Sequence, residues 1–233
     1  MAPGIAQGVR RLTTRLWALS FLLLLTWPSS AIPAPLERPL PNVESVRQLL
    51  QDVAVRIDII GEETRGICTG WIGWSEHTRS AAYTAAHCYR EGARYRLTLG
   101  TGETVFATSL TRWDGLDLMA LWIPRGDLRA LRSWKPMPGG AFHVFYVLSE
   151  RGAPPRFVDV PIPRVYWEIR FENHPSAVAL PLYSVPGTSG APVVDAADGL
   201  LVGMIVGFVT ERPGVAAVVP AQSIYEALSS ASR

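Results

Sequence analysis

Val185-Pro186-Gly187-Thr188-Ser189-Gly190-Ala191-Pro192-Val193 sets a serine between two glycines, with a proline on either side and an apolar run beyond. Glycine admits the backbone angles of a tight turn, and such a turn can aim several N–H groups at one point. An oxyanion site needs that arrangement, fixed donors where negative charge develops in a tetrahedral intermediate. Alone, Gly-x-Ser-Gly is also an ordinary turn. Two further stretches sharpen it: Tyr83-Thr84-Ala85-Ala86-His87-Cys88 upstream, and Asp117-Leu118-Met119-Ala120-Leu121 between the two. Serine is a poor nucleophile at neutral pH and needs a neighbouring base. Imidazole can take its proton and return it to a leaving group. A buried carboxylate fixes the imidazole tautomer and stabilises the imidazolium.

Outward from this stretch the chain reads as β-structure. Residues 54–60 alternate like a half-buried strand, and residues 66–73, 80–84, 94–99, 104–113 and 118–123 read as further strands. Gly139-Gly140 opens a second set at 141–148, 156–170, 177–184, 191–194, 200–209 and 215–219. Strands this short at this spacing mean an all-β sandwich or barrel. The seam between the two sets lies at 124–138. Asn42 can cap a short helix whose Val46, Leu49 and Leu50 share a face. A terminal helix over about 221–229 places Ile224, Tyr225 and Leu228 on one side. Of 233 residues, 48% are apolar and 18% charged, which suits a substantial core and excludes a disordered chain.

At the amino terminus, Arg10, Arg11 and Arg15 precede an apolar run of 12 residues, 16–27, followed by Pro28-Ser29-Ser30-Ala31. A basic region, a short apolar run and a small-x-small ending make a secretory signal peptide over 1–31, cut after Ala31 or, as second choice, Ala34. The run is short for a bilayer span; an uncleaved membrane anchor and a buried helix are the alternatives. The Arg10-Arg11 pair invites a twin-arginine route, but the residues after it favour general secretion. Residues 32–42 hold Pro33, Pro35, Pro39 and Pro41 and read as an extended linker. Net charge is +2; three of the 22 basic residues sit in the first 31 positions, which leaves 19 against 20 acids. Nothing in that balance calls for nucleic acid. The chain carries only two cysteines, Cys68 and Cys88, and an exported protein keeps disulfides. We expect them to pair, with two buried thiols as the alternative.

The order His87, Asp117, Ser189 differs from that of α/β-hydrolases, where serine comes first, and of subtilisins, where aspartate does. Thr84-Ala85-Ala86-His87-Cys88 resembles the histidine motif of chymotrypsin-like (trypsin-like) serine peptidases. Residues Gly187 to Val193 resemble their Gly-Asn/Asp-Ser-Gly-Gly-Pro motif, and Asp117 to Leu121 are similar to the segment carrying their aspartate. Residues 198–204 and 218–224 look like the closing strands of bacterial Deg-type proteases. The resemblance covers roughly 45–228. It implies two six-stranded antiparallel β-barrels, about 45–124 and about 139–220, within a peptidase domain of 43–233. The site would lie in the cleft between them, with His87 and Asp117 from the first and Ser189 from the second. It implies an oxyanion hole from the N–H groups of Gly187 and Ser189, an acyl-enzyme, a polypeptide substrate, and neither metal nor cofactor. Three departures stand out: Thr188 in place of an acid, Ala191 in place of the second glycine, and no carboxyl-terminal PDZ domain. With no carboxylate before Ser189, a trypsin-style zymogen switch is not expected.

By position in the family, the primary pocket is built from Tyr183 and Ser184 and from Met204, Ile205, Val206 and Gly207, with residues 215–217 behind. No acid occurs from 176 to 194. A basic side chain there would be desolvated without a partner, so we expect a small or medium apolar residue on the acyl side of the cut bond. Glu211 reaching in to bind a base is the competing reading. Asp114 rivals Asp117 but sits in the turn signature Trp113-Asp114-Gly115. Ser184 lacks a glycine context, His77, His143 and His174 lack any motif, and Trp71, Trp74 and Trp113 read as packing aromatics. Two other functions remain in view, a binding scaffold that has lost turnover and a hydrolase of small esters.

Overall fold

The alternation of residues 54–60 becomes strand β1 (Ala54–Ile60), with Val55, Ile57 and Ile59 buried and their neighbours half-buried. The computed structural model describes residues 43–62, 64–150, 155–165, 171, 176–209 and 212–230. All of them fall in one unit, Leu40–Arg233. β1 lies inside an antiparallel sheet formed with β2 (Arg65–Ser75), β3 (Ser80–Ala85), β4 (Arg94–Thr98), β5 (Thr104–Phe106), β6 (Ser109–Trp113) and β7 (Leu118–Ile123). The order is β5-β4-β1-β2-β3-β7-β6.

The single strand expected over 104–113 is a correction: it breaks in two. β5 pairs with β4 at one edge and β6 with β7 at the other. Only Ala107 and Thr108 separate them, and their N–H groups still reach Tyr95 C=O at 3.0 Å and Trp122 C=O at 2.8 Å. One chain segment thus leaves one edge and joins the opposite one, which closes a twisted sheet into a barrel and removes its free edges. Seven elements are in effect six strands with a corner.

The second antiparallel sheet holds β8 (Phe142–Leu148), β9 (Arg156–Ile162), β10 (Val178–Leu180), β11 (Pro192–Asp195), β12 (Leu201–Phe208) and β13 (Ala216–Pro220), ordered β10-β13-β12-β11-β8-β9. The strand read over 156–170 stops at Ile162, beside Pro163. Pro161 sits within β9 because β9 is an edge, where a missing N–H breaks no ladder. Residues 166–170 lie outside the described set, as do Asn42, His174, Glu211 and the whole amino-terminal segment. The strand read over 177–184 shrinks to β10, because the chain must then turn toward Ser189.

Helix α1 (Val43–Val53) buries Val46, Leu50 and Val53 and packs on β2 and β8, one strand from each sheet. Helix α2 (Ala221–Ser230) buries Ile224 and packs on β12 and β13. The segment between the sheets bonds to both: Leu131 N–H to Ile72 C=O at 2.8 Å, and Lys135 N–H to Leu201 C=O at 3.0 Å. One core cluster fills the first barrel and continues to Met204, Val206 and Ile224. A second, with Tyr146, Val193, Val202 and Ile205, belongs to the second sheet. Cys68 and Cys88 form the expected disulfide, their Cα atoms 6.5 Å apart. Among the described residues no helix is long and apolar enough to cross a membrane.

Candidate active site

The β3–β7 ladder pairs Ala85 with Leu118. His87 follows β3 in a short helical turn, Ala86–Cys88, and Asp117 immediately precedes β7, so strand register alone brings the two together. Asp117 adopts a left-handed backbone, φ 52° and ψ 42°. For a residue with a Cβ that conformation costs free energy and persists where surrounding bonds impose it. Here there are four. Its N–H donates to Asp114 C=O at 3.1 Å, and its C=O accepts from Ala86 N–H at 2.9 Å. Oδ1 accepts the His87 backbone N–H at 2.6 Å, and Oδ2 lies 2.7 Å from His87 Nδ1. A carboxylate only accepts, so Nδ1 carries the proton and Nε2 keeps its lone pair for a base's work. Asp117 is buried, while the imidazole is 42% exposed. Asp114 is bonded instead to Arg112, at 2.5 Å from Nη2 and 3.0 Å from Nε. His77 is exposed beside Asp127, and His143 Nδ1 lies 3.6 Å from Asp159.

Ser189 lies half-buried in the turn between β10 and β11. Gly187 and Gly190 have φ of 110° and 87°, angles that side-chain-bearing residues avoid. A Cβ on Gly190 would also collide with Thr69 O and Thr84 Oγ1, and one on Gly187 with Ile67 Cδ1 and Ser149 O. The turn closes on itself through Thr188 N–H to Val185 C=O, 3.0 Å, and Ala191 N–H to Thr188 C=O, 2.9 Å. Gly190 N–H to Ile205 C=O and Ile205 N–H to Ala191 C=O, 2.7 and 2.9 Å, fasten its far side to β12. Among the described residues the N–H groups of Gly187 and Ser189 have no hydrogen-bond partner.

Three residues that carried no role in the sequence join the two halves. Thr69 N–H donates to Ser189 C=O at 2.9 Å, and Thr69 Oγ1 lies 2.8 Å from Gly187 O. Thr84 Oγ1 donates to Thr69 O at 2.6 Å, and Ser149 Oγ lies 2.7 Å from Thr69 Oγ1. All three are buried. Two sequence signals were present, Thr84 at the head of the histidine motif and Thr69 as a threonine inside the apolar run that follows Cys68.

Of the pocket residues, Tyr183 turns its ring outward, 56% exposed, while its C=O accepts the Tyr146 hydroxyl at 2.7 Å. Burial pushes the Tyr146 phenol up to about 12. Ser184 and Gly207 are half-buried. The side chains of Met204, Ile205 and Val206 are buried in the two cores. A Cβ on Gly207 would meet only Ala217 Cβ, at 4.0 Å. Among the described residues no three His, Cys, Asp or Glu side chains gather as a metal site.

The family model for the trypsin-like peptidase domain matches residues 68–204. No curated protein matches the chain. Among solved structures it is similar to the active form of the Rv3671c protease from M. tuberculosis, with TM-score 0.67 and 18% identity over 82% of this chain and 86% of that one. It is also similar to the HtrA-type protease AlgW with a tripeptide, TM-score 0.67, 18% identity, covering 79% of this chain and 62% of that one. The serine endoprotease from Yersinia pestis gives TM-score 0.63 at 16% identity, 79% and 65% covered. At such identities the likeness is one of fold, the paired antiparallel half-barrels. With a family match over more than half its length, this chain belongs to the trypsin-like peptidase family, has the chymotrypsin-like fold of the Deg-type proteases, and is a hydrolase of the serine endopeptidase class.

Proposed function

We propose that the protein is an exported serine endopeptidase in which His87, Asp117 and Ser189 act as one triad. The observation that carries this reading is the clamp of Asp117 on His87 through both carboxylate oxygens, 2.6 and 2.7 Å, at the end of β3, the strand against which the Ser189 turn packs. With Nδ1 holding its proton for Asp117, Nε2 takes the proton of Ser189 Oγ as that oxygen attacks the scissile carbonyl carbon. The Gly187 and Ser189 N–H groups, which have no other partner among the described residues, receive the oxyanion. A donor in that position is worth about 10² to 10³ in turnover. The proton then passes to the leaving amine, and water, activated by the same imidazole, releases the acyl-enzyme.

Residues 1–31 act as a signal peptide cut after Ala31, 32–42 as a linker, and 43–233 as the peptidase domain. The Cys68–Cys88 bond supports export, since such bonds persist outside the reducing cytosol. The pocket formed by Tyr183, Ser184 and the 205–207 backbone takes a small or medium apolar residue. A fluorophosphonate probe should label the wild type at Ser189 and neither Ser189→Ala nor His87→Ala. No label would leave a silent scaffold, and label with ester turnover but no casein digestion would leave a small-ester hydrolase. In a peptide library, cuts mainly after Arg or Lys would end the apolar-pocket reading.

A further inference from the structure

We infer that Thr69, backed by Ser149, is a positioning residue for the serine turn: its hydroxyl sets the orientation of the Gly187 carbonyl and with it the donors that meet the oxyanion. This inference rests on the peptidase reading above. Thr69 belongs to β2 of the first barrel, while the turn it holds belongs to the second. Its Oγ1 stands between two oxygens, Gly187 O at 2.8 Å and Ser149 Oγ at 2.7 Å. A carbonyl can only accept, and threonine has one hydroxyl proton. That proton therefore goes to Gly187, and Ser149 donates its own to Thr69. Two hydroxyls in series polarise one another and strengthen the bond to the carbonyl.

The other polar atoms of Thr69 act on the same turn. Its N–H holds Ser189 C=O, and its C=O is held in turn by Thr84 Oγ1, three residues before His87. The carbonyls on both sides of the Thr188–Ser189 peptide are thereby fixed, which leaves that peptide's N–H little freedom. Gly187 has no side chain to resist rotation at φ 110°. Its orientation must come from bonds to the Gly187–Thr188 peptide: Thr188 N–H to Val185 C=O holds one side within the turn, and the Thr69 hydroxyl holds the carbonyl from the other barrel. A valine would fill the same space on the strand. A hydroxyl with no exposed surface costs free energy unless it is bonded, so this residue is explained by the bond and not by packing.

The test uses the full-length protein and three variants, Thr69→Val, Thr69→Ser and Ser149→Ala, with turnover expressed per active site titrated by a fluorophosphonate. Thr69→Val should lower kcat by about 10- to 100-fold with KM altered less than about 3-fold, the signature of a misplaced reacting group. Thr69→Ser keeps the hydroxyl and should return kcat to within about 3-fold of wild type, with Ser149→Ala between the two. A merely structural residue would lower the fraction of titratable sites and the melting temperature, leaving kcat per site unchanged, and that outcome overturns the inference. So does a serine variant as impaired as the valine one. Should Thr69→Val not fold, Ser149→Ala with wild-type kcat per site is the overturning result. Should the wild type itself fail to label, the peptidase reading falls, and crystal structures decide this inference separately. The Gly187 carbonyl is expected to turn away from position 69 in Thr69→Val, and an unmoved carbonyl refutes it.

Discussion

The two halves of the site are held in different ways. His87 and Asp117 sit at adjacent ends of two neighbouring strands, β3 and β7, and every bond between them lies within one sheet. The Ser189 turn is fastened to its own sheet through Ile205 but receives two more bonds from Thr69, in the other barrel. In the proposed triad, the acid–base half follows from strand register and should survive small changes in how the barrels dock, and the nucleophile half depends on that docking. Perturbations can therefore separate orientation within one sheet from contact between two.

The largest expected effect lies wholly in the first half. Asp117→Asn should cut kcat by about 10⁴, by favouring the tautomer with the proton on the wrong nitrogen, while the folded state persists. The same change at Asp114, bonded to Arg112, should leave turnover close to wild type. Steady-state kinetics of both variants check this, and an equal loss at Asp114 would undo the assignment.

The disulfide touches both halves, since Cys68 precedes Thr69 and Cys88 follows His87. Its sequence separation is 20. A Cys68→Ala/Cys88→Ala double variant should lose about 3 kcal/mol of stability on the loop-entropy model, read from urea unfolding with wild type under the same conditions. A loss near zero would mean that the first barrel is held by its strand ladder and core without help from the bond.

Lys135 perturbs the serine side without touching the site. It pairs with buried Asp195 at 2.8 Å and with Asp198 at 2.7 Å, and so clamps the inter-barrel segment onto the β11–β12 turn. Burial pulls the Lys135 ammonium down, but its bonds to Asp195 and Asp198 outweigh that and hold it above the ordinary lysine value. Burial pushes Asp198 up, yet Lys135 and the Leu200 N–H bring it below the ordinary carboxylate value. A lowered acid stabilises the fold above its unfolded pKa, and that contribution is lost as pH falls through the folded value. A raised base stabilises below its unfolded pKa, and loses that as pH rises through the folded value. The pair therefore acts between about pH 4 and pH 10. Lys135→Met should cost about 2 kcal/mol at neutral pH, with kcat unchanged and the deficit closing as pH falls through the lowered value of Asp198. Thermal melts across pH measure it; a deficit that stays constant with pH would rule out the ion pair as its cause.

The smallest effect sharpens the pocket. Gly207 has room for one methyl group, 4.0 Å from Ala217. Gly207→Ala should shift preference from Leu toward Ala on the acyl side by roughly 0.8 kcal/mol, about a four-fold change in relative kcat/KM. The rate of Ser189 labelling should not change. An unaltered Leu-to-Ala ratio would place the pocket elsewhere.

Much of this was legible in the residues themselves. Residues 54–60 and 118–123 were read as strands and appear as β1 and β7 with those limits, because alternation and apolar runs are local properties. Local motifs nominate His87, Asp117 and Ser189 as the proposed triad, and the number of cysteines points to the disulfide that the structure contains. The break of 104–113 was not legible, because nothing in Thr104 to Trp113 records that opposite edges of the sheet must meet at Ala107 and Thr108. The pocket reading treated Ile205 and Val206 as lining, whereas both side chains pack into cores on either face of β12.

By itself the sequence determined strands such as β1 and β7 and which side chains are candidates to take, hold and return a proton, since these depend on near neighbours along the chain. The tertiary structure decided the barrel corner, the left-handed backbone of Asp117 and the hold of Thr69 on Gly187. That last bond joins residues 118 positions apart. Contacts of that span form only when two barrels dock and each buried polar group finds its partner, and local preference carries no record of which partner that is.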